Sequence, residues 1–388
     1  MPLAPLFRSF FMGGFECSSH RPRSRRRLDL IASTGHDTQA GADYARLRSC
    51  GMQAARDGLR WHRIEYAPGR YDFSSVLPMI RAAHDAEVDV IWDLCHYGWP
   101  DDLDIWSPAF IDRFAGLARA FTAVLVSETA RVPFLAPVNE ISFFAWAGGD
   151  VGYFNPFGEG RGDQLKAHLV RAAIAGIESI WDVRPGARIV HTDPVINVVA
   201  DPARPDDHAD AEAYRLSQYH AWDMLAGRRH PELGGDERYL DILGVNYYPH
   251  NQWVHTAAAF NPEAAIPRSH PQYRPFRTIL AEVHARYARP ILIAETGASD
   301  DLRADWLRYV GEEVRAAMRA GVPIGGLCLY PILNFPWWDD DHPCESGLWG
   351  YLDAAGGRPI YQPLAHELRR QVHLVDRTPG LLDGTPTT

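Results

Sequence analysis

Short apolar runs recur along the chain, each closed by a polar or aromatic residue and followed by a longer amphipathic stretch. Eight runs carry the pattern: RSFFMGGFE (8–16), MQAARDGLRW (52–61), VDVIWDLCHY (88–97), VPFLAPVNE (132–140), ARIVHTDP (187–194), LDILGVNYY (240–248), PILIAETG (290–297) and PIGGLCLYP (323–331). Between them lie segments with helical spacing of apolar positions, such as DYARLRSCG, VLPMIRAAHDAE, AFIDRFAGLARAFTAVLVSET and ADWLRYVGEEVRAAMRAG. Strands buried on both faces read as continuous apolar runs, and strands alternating with helices pair in parallel through crossovers. Eight such units in 388 residues predict an α/β chain folded as one (β/α)8 TIM barrel domain, with residues from about 375 as a C-terminal tail. An open doubly wound sheet is the competing architecture, but neither GxGxxG nor GxxxxGK(S/T) follows the first run.

A barrel sharpens the meaning of the run ends, because reactive groups in this fold sit at the C-terminal ends of the strands. Here those ends carry Glu16, Trp61, His96, Glu140, Asp193, Tyr248, Glu295 and Tyr330. Core packing alone would not place polar groups at that one end of each unit. Glu140 closes the fourth run and Glu295 the seventh, so a closed barrel sets them face to face across its mouth. Two carboxyl groups about 5–5.5 Å apart suit a retaining glycosidase, and about 6.5–9.5 Å an inverting one. Glu140, beside an amide and the rings of Phe143, Phe144 and Trp146, should be desolvated and held as the protonated acid. Glu295 needs cationic or hydroxyl partners as an ionised nucleophile, and Arg56 and Tyr248 at neighbouring strand ends could provide them.

Composition narrows the classes further. Hydrophobic residues make up 46% and charged residues 23%, with a formal net charge of −10, which argues against general affinity for nucleic acid or an anionic membrane. No apolar run reaches the roughly 18 residues of a spanning helix. The start, MPLAPLFRSFFMGGFE, has neither a basic n-region nor a long apolar core, so no secretory signal is expected. Cys17, Cys50, Cys95, Cys328 and Cys344 are odd in number and form no CxxC pair, as suits reduced thiols in the cytoplasm and not a disulfide framework or zinc site. The single lysine, Lys166, lies in a helical stretch, which excludes a Schiff-base lysine at a strand end. No HxH stands at the first strand end, as a metal-dependent barrel hydrolase would want. The acidic run WWDDDHPCE (337–345) matches no calcium or zinc spacing and is expected as a solvated loop, from which one acid could contact substrate. RPRSRRR (21–27) is expected as an exposed loop, with recognition of an anionic substituent as a second reading. No metal and no organic cofactor is expected, and the oligomeric state is left open.

From about residue 11 to 338 the runs resemble, in order, the clan A glycoside hydrolases, most closely family 1, the β-glucosidase family. GMQAARDGLRWHRI is similar to that family's G-V-x-x-Y-R-F-S-I-x-W-x-R-I, which brings Arg56 onto the arginine beside the nucleophile and aligns Trp61 and Arg63. DLCHYGWPDDL is similar to L-Y-H-W-D-L-P-x-x-L, which implies that His96 binds sugar. VNE resembles T-x-N-E, implying Asn139 at the 2-hydroxyl and Glu140 as general acid/base. DILGVNYY resembles D-F-x-G-x-N-Y-Y and puts Asn246 in the site and Tyr248 against the nucleophile. PILIAETG resembles P-x-x-I-T-E-N-G, with Glu295 as that nucleophile.

The eighth run departs from the family. Where the family reads W-S-L-L-D-N-F-E-W this chain has YPILNFPWW, with Tyr330 for a tryptophan and Pro336 for the glutamate that holds the sugar's 4- and 6-hydroxyls. Near the N-terminus Glu16 and His20 stand where a glutamine contact is usual. Glucose specificity is therefore not implied. Trp337, with Trp99, Trp106, Trp146, Trp253 and Trp338, lies in a loop after a strand end and is a candidate stacking platform for sugar. The resulting expectation is a retaining β-glycosidase acting on a small-molecule glycoside or oligosaccharide through a covalent glycosyl-enzyme. A transglycosidase on the same intermediate and a non-catalytic sugar-binding barrel are the alternatives.

Overall fold

The computed structural model describes residues 6–255 and 265–376. Eight parallel strands close into a barrel: β1 (Phe11–Gly14), β2 (Ala54–Gly58), β3 (Asp89–Cys95), β4 (Phe134–Val138), β5 (Arg188–Pro194), β6 (Ile242–Asn246), β7 (Ile291–Thr296) and β8 (Ile324–Leu329). Each pairs with its sequence neighbours, and β8 returns to β1 with Phe11 opposite Leu327. All eight expected runs supply one strand each. They are buried along nearly their whole length, as their continuous apolar character requires.

The outer ring consists of α1 (His36–Ser49), α2 (Leu77–Asp85), α3 (Pro108–Glu128), α4 (Gly162–Val183), the short α5 (His208–Leu216) and α6 (His220–Leu225), α7 (Phe276–Tyr287), α8 (Leu302–Arg319) and α9 (Gln362–Asp376). Helix α3 shows why: Phe110, Phe114, Leu117, Phe121 and Leu125 fall on one buried stripe at helical spacing. Inside the barrel, Met12, Ala54, Ile91, Ala136, Val190, Ile242, Leu292 and Cys328 form a separate apolar core. Phe7 stoppers its N-terminal end against the Phe134 ring, 4.6 Å away between centroids. With that end filled, the open end is the one where the polar residues gather. The tail expected from about 375 begins inside α9, which runs to Asp376 with Val375 buried; its remainder lies outside the described residues. Among the described residues no helix is long and apolar enough to cross a membrane.

A buried charged cluster ties α1 to the outer face of β2. His36 Nδ1 lies 3.0 Å from Asp43 and Nε2 2.9 Å from Asp57, while the Tyr44 hydroxyl donates to Asp57 at 2.6 Å. The imidazole stacks on Phe15 at 3.7 Å. Burial opposes a charge on this ring, but Asp57 and Asp43 outweigh it and raise its pKa from 6.5 to about 9. A group whose folded pKa lies above its unfolded one stabilises fully below the unfolded value, and that stability is lost as pH rises through the folded value. The stability gap between the wild type and His36→Gln, measured by urea unfolding, should be widest below pH 6.5 and shrink by about 3 kcal/mol by pH 10. A gap that stays constant or widens with pH would contradict this assignment.

Candidate active site

Alternation along β2 turns Arg56 into the barrel and Asp57 outward. Arg56 is completely buried. Its Nε donates to Asp93 Oδ1 at 3.0 Å and Nη2 to Asp93 Oδ2 at 2.6 Å. Nη1 donates to Glu295 Oε1 at 2.5 Å, and Nη2 also to Asn139 Oδ1 at 2.6 Å. Burial opposes this charge, yet Asp93 and Glu295 raise its pKa well above the usual value; reciprocally, burial pushes Asp93 up, but Arg56 and His96 together outweigh it and lower its pKa.

Two backbone irregularities aim the carboxylates. The pairing of β7 with β6 shifts register between Ile293 and Glu295, so Ala294 stays in the barrel core while Glu295 still reaches the mouth. There Glu295 takes Arg56 on one oxygen and the Tyr248 hydroxyl on the other at 2.8 Å. Glu140 has a left-handed backbone, φ 47°, between β4 and the single turn Ile141–Phe144. This bend lets Asn139 and Glu140, adjacent in sequence, both enter the site. Glu140 Oε1 accepts from Asn246 Nδ2 at 2.8 Å, and Oε2 accepts a short hydrogen bond from the Tyr97 hydroxyl. Burial, then the charge of Glu295, push its pKa up to about 8 against those two hydrogen bonds.

Asn139 transmits the order further. Its Oδ1 accepts from Arg56 and from Thr192 Oγ1 at 2.7 Å, so its amino group faces the other way, donating to His96 Nε2 and to the Tyr97 hydroxyl, both at 3.0 Å. His96 Nε2 is then an acceptor, and the ring proton belongs on Nδ1, 2.9 Å from Asp93 Oδ2. Glu16 lies on the same wall, with Oε1 4.0 Å from His96 Nε2 and accepting the Ser18 N–H at 3.0 Å; burial raises its pKa. Tyr330 lies parallel to His96 with centroids 6.3 Å apart and under the Arg56 guanidinium. Only a glycine at position 14 leaves room for it, since a Cβ there would sit 2.1 Å from Tyr330 Cδ2. The Tyr330 hydroxyl, Asn246 Oδ1 and both ring nitrogens of His20 are buried with no hydrogen-bond partner among the described residues.

Glu140, Glu295, Arg56, Tyr248, His96, Asn139, Asn246, Tyr330 and Glu16 thus surround one mouth, with His20 packed behind Tyr97 at 5.9 Å. Trp337 is set apart: it is exposed and meets Phe335, Trp338 and His342. Its neighbour Trp338 is the ring that turns inward, onto His20 and Tyr97. Trp61 is a core residue against Phe110 and Phe114, and Trp99 packs on Phe144. The basic and acidic loops answer each other: Arg26 pairs with Asp341 at 2.6 Å, Arg21 and Arg27 pair with Asp101, and the Tyr153 hydroxyl donates to Asp339 at 2.7 Å. Cys17, Asp93 and His96 are the one cluster of metal-type donors among the described residues. Arg56 already fills both Asp93 oxygens and supplies the cation there, so the cluster does not suit a metal ion.

No protein-family model and no curated protein matches the chain. Solved structures do. The AHE enzyme from Alicyclobacillus herbarius superposes with TM-score 0.76 at 17% identity, covering 96% of this chain and 100% of that one. The β-glucosidase from Thermotoga maritima in complex with glucoimidazole gives 0.74 at 16% identity, covering 97% and 98%. The same enzyme in complex with castanospermine gives 0.73 at 16%, covering 96% and 99%. What the chain shares with them is the closed (β/α)8 barrel. At this identity the likeness is one of fold, and the chemistry must be argued from the side chains.

The Arg56 hub makes a direct prediction. Removing one partner of a buried ionic network leaves uncompensated charge and costs about 3–5 kcal/mol. Arg56→Met should lower the unfolding free energy by about that amount, and adding Asp93→Asn to it should recover part of the loss. A cost under about 1 kcal/mol in urea unfolding would show that the guanidinium is not what holds the two acids.

Proposed function

We propose that the protein is a retaining β-glycosidase acting on a small-molecule glycoside or oligosaccharide. Glu295 attacks the anomeric carbon as Glu140 passes its proton to the departing glycosidic oxygen, forming a covalent glycosyl-enzyme. Glu140, now the base, takes a proton from the water that displaces Glu295. The observation that carries this reading is the contrast between the two carboxyls. Glu295 receives the guanidinium of Arg56 and the Tyr248 hydroxyl, the partners an anionic nucleophile needs. Glu140 receives no cation and has a pKa near 8, so it starts the cycle with a proton to give.

The unpartnered polar atoms of Asn246 and Tyr330 support a polyhydroxylated ligand, which can supply both donors and acceptors. Similarity of fold to the Thermotoga maritima β-glucosidase is in keeping with it. The glycone is not assigned to glucose, because Tyr330, Pro336 and Glu16 alter the wall that would read its far side.

Glu140→Gln tests the assignment. The kcat/KM for alkyl glycosides, whose poor leaving groups need a proton, should fall by about 100-fold or more, while that for 2,4-dinitrophenyl glycosides falls far less. Because the acid works only when protonated, wild-type kcat/KM should hold up to near pH 8 and fall above it, and this limb should vanish in the variant. Equal losses for both leaving groups would remove Glu140 as the acid.

A further inference from the structure

The turn that carries Glu140 is gripped from behind by a group with no part in the chemistry above. Alternation along β5 turns Thr192 into the site, where it bonds Asn139, and Asp193 to the outer face. Asp193 is buried there and accepts the Ser142 N–H at 3.0 Å on Oδ1 and the Ser142 hydroxyl at 2.8 Å on Oδ2. Ser142 is two residues beyond Glu140, and the Phe144 N–H closes the same turn on the Glu140 carbonyl at 2.7 Å. The Glu140 N–H itself donates to the Thr192 carbonyl at 3.0 Å. β5 therefore holds the left-handed turn by its main chain at Thr192 and by its side chain at Asp193.

Asp193 also feels the charge of a cation. Lys166, the only lysine of the chain, is buried on α4, and its charge favours ionised Asp193. Burial nevertheless dominates and lifts the pKa of Asp193 to about 7. Lys166 also feels Asp163 and Asp150, with Arg229 opposing them. His220, beside them, is held neutral by burial and Lys166. On the site side, Glu140 meets Tyr97, Asn246 and Glu295, and the negative charge of Asp193 adds to that of Glu295 in favouring its protonated form.

We propose that Asp193 is a positioning residue for the acid/base step: through Ser142 it fixes the turn that aims Glu140. The clamp acts through Glu140 and never touches substrate. The proposal rests on the glycosidase reading, and the test separates the two. In the full chain, Asp193→Asn keeps the size of the side chain but removes its charge and offers a donor where Ser142 also donates. The kcat/KM for alkyl glycosides should drop by about tenfold or more, with that for 2,4-dinitrophenyl glycosides, whose departure needs little protonation, changed less than about twofold. Loss shared equally by both leaving groups would mean a merely structural role and overturn the proposal. If Asp193→Asn does not fold, Ser142→Ala removes a single hydrogen bond and should still give a several-fold loss confined to alkyl glycosides; an equal loss overturns the proposal. If Glu140→Gln discriminates between leaving groups and neither of these variants does, only this inference fails. Absence of glycosidase activity in the wild type would remove both.

Discussion

The site depends on one buried guanidinium. Arg56 is completely buried, so its N–H donors and its charge call for partners within the protein. The solution is to spread it over two carboxylates and an amide that arrive from three other strands. Asp93 of β3, Glu295 of β7 and Asn139 at the end of β4 are drawn to one point. Fixing Asn139 Oδ1 decides which way its amide faces, and that decides where His96 carries its proton. A single charged side chain thus sets the orientation of Glu295 and the hydrogen-bonding character of the adjoining wall.

The same hub explains why two carboxyl groups in one mouth behave differently. Arg56 is used up by Asp93 and Glu295, and none of its donors reaches Glu140. What Glu140 meets instead is an amide, a phenol and the field of Glu295, an environment that favours the neutral acid. The contrast between the two environments follows from the direction in which one cation points.

The barrel was legible in the sequence because strands buried on both faces leave uninterrupted apolar runs, and all eight runs became strands. Arg56, Glu140 and Glu295 were legible because each interrupts or ends such a run, where apolar packing offers no reason for a charge. Asp93 obeyed the same rule, an acid inside VIWDLC, yet its meaning depends on the guanidinium it meets. Tyr97 adjoins His96 and carries a left-handed φ of 65°, which no residue type there announces. That Trp338 and not Trp337 lies inward is set by the turn that follows the short strand Phe335–Pro336, which the two adjacent tryptophans do not announce. The register shift before Glu295 is likewise a property of strand pairing and leaves no local mark. The basic and acidic loops, read one at a time, looked like separate solvated segments; only the closed fold brings Arg26 to Asp341.

In the proposed mechanism the carboxylate paired with Arg56 is the one that bonds to the sugar. Incubating the protein with 2,4-dinitrophenyl 2-deoxy-2-fluoroglycosides and mapping peptides by mass spectrometry tests it directly, since the fluorine slows release of a covalent intermediate. The expected result is stoichiometric release of dinitrophenol and one added glycosyl group on the peptide containing Glu295. An adduct on Glu140 or Glu16, or steady turnover of an unfluorinated glycoside to a product of inverted anomeric configuration, would contradict it.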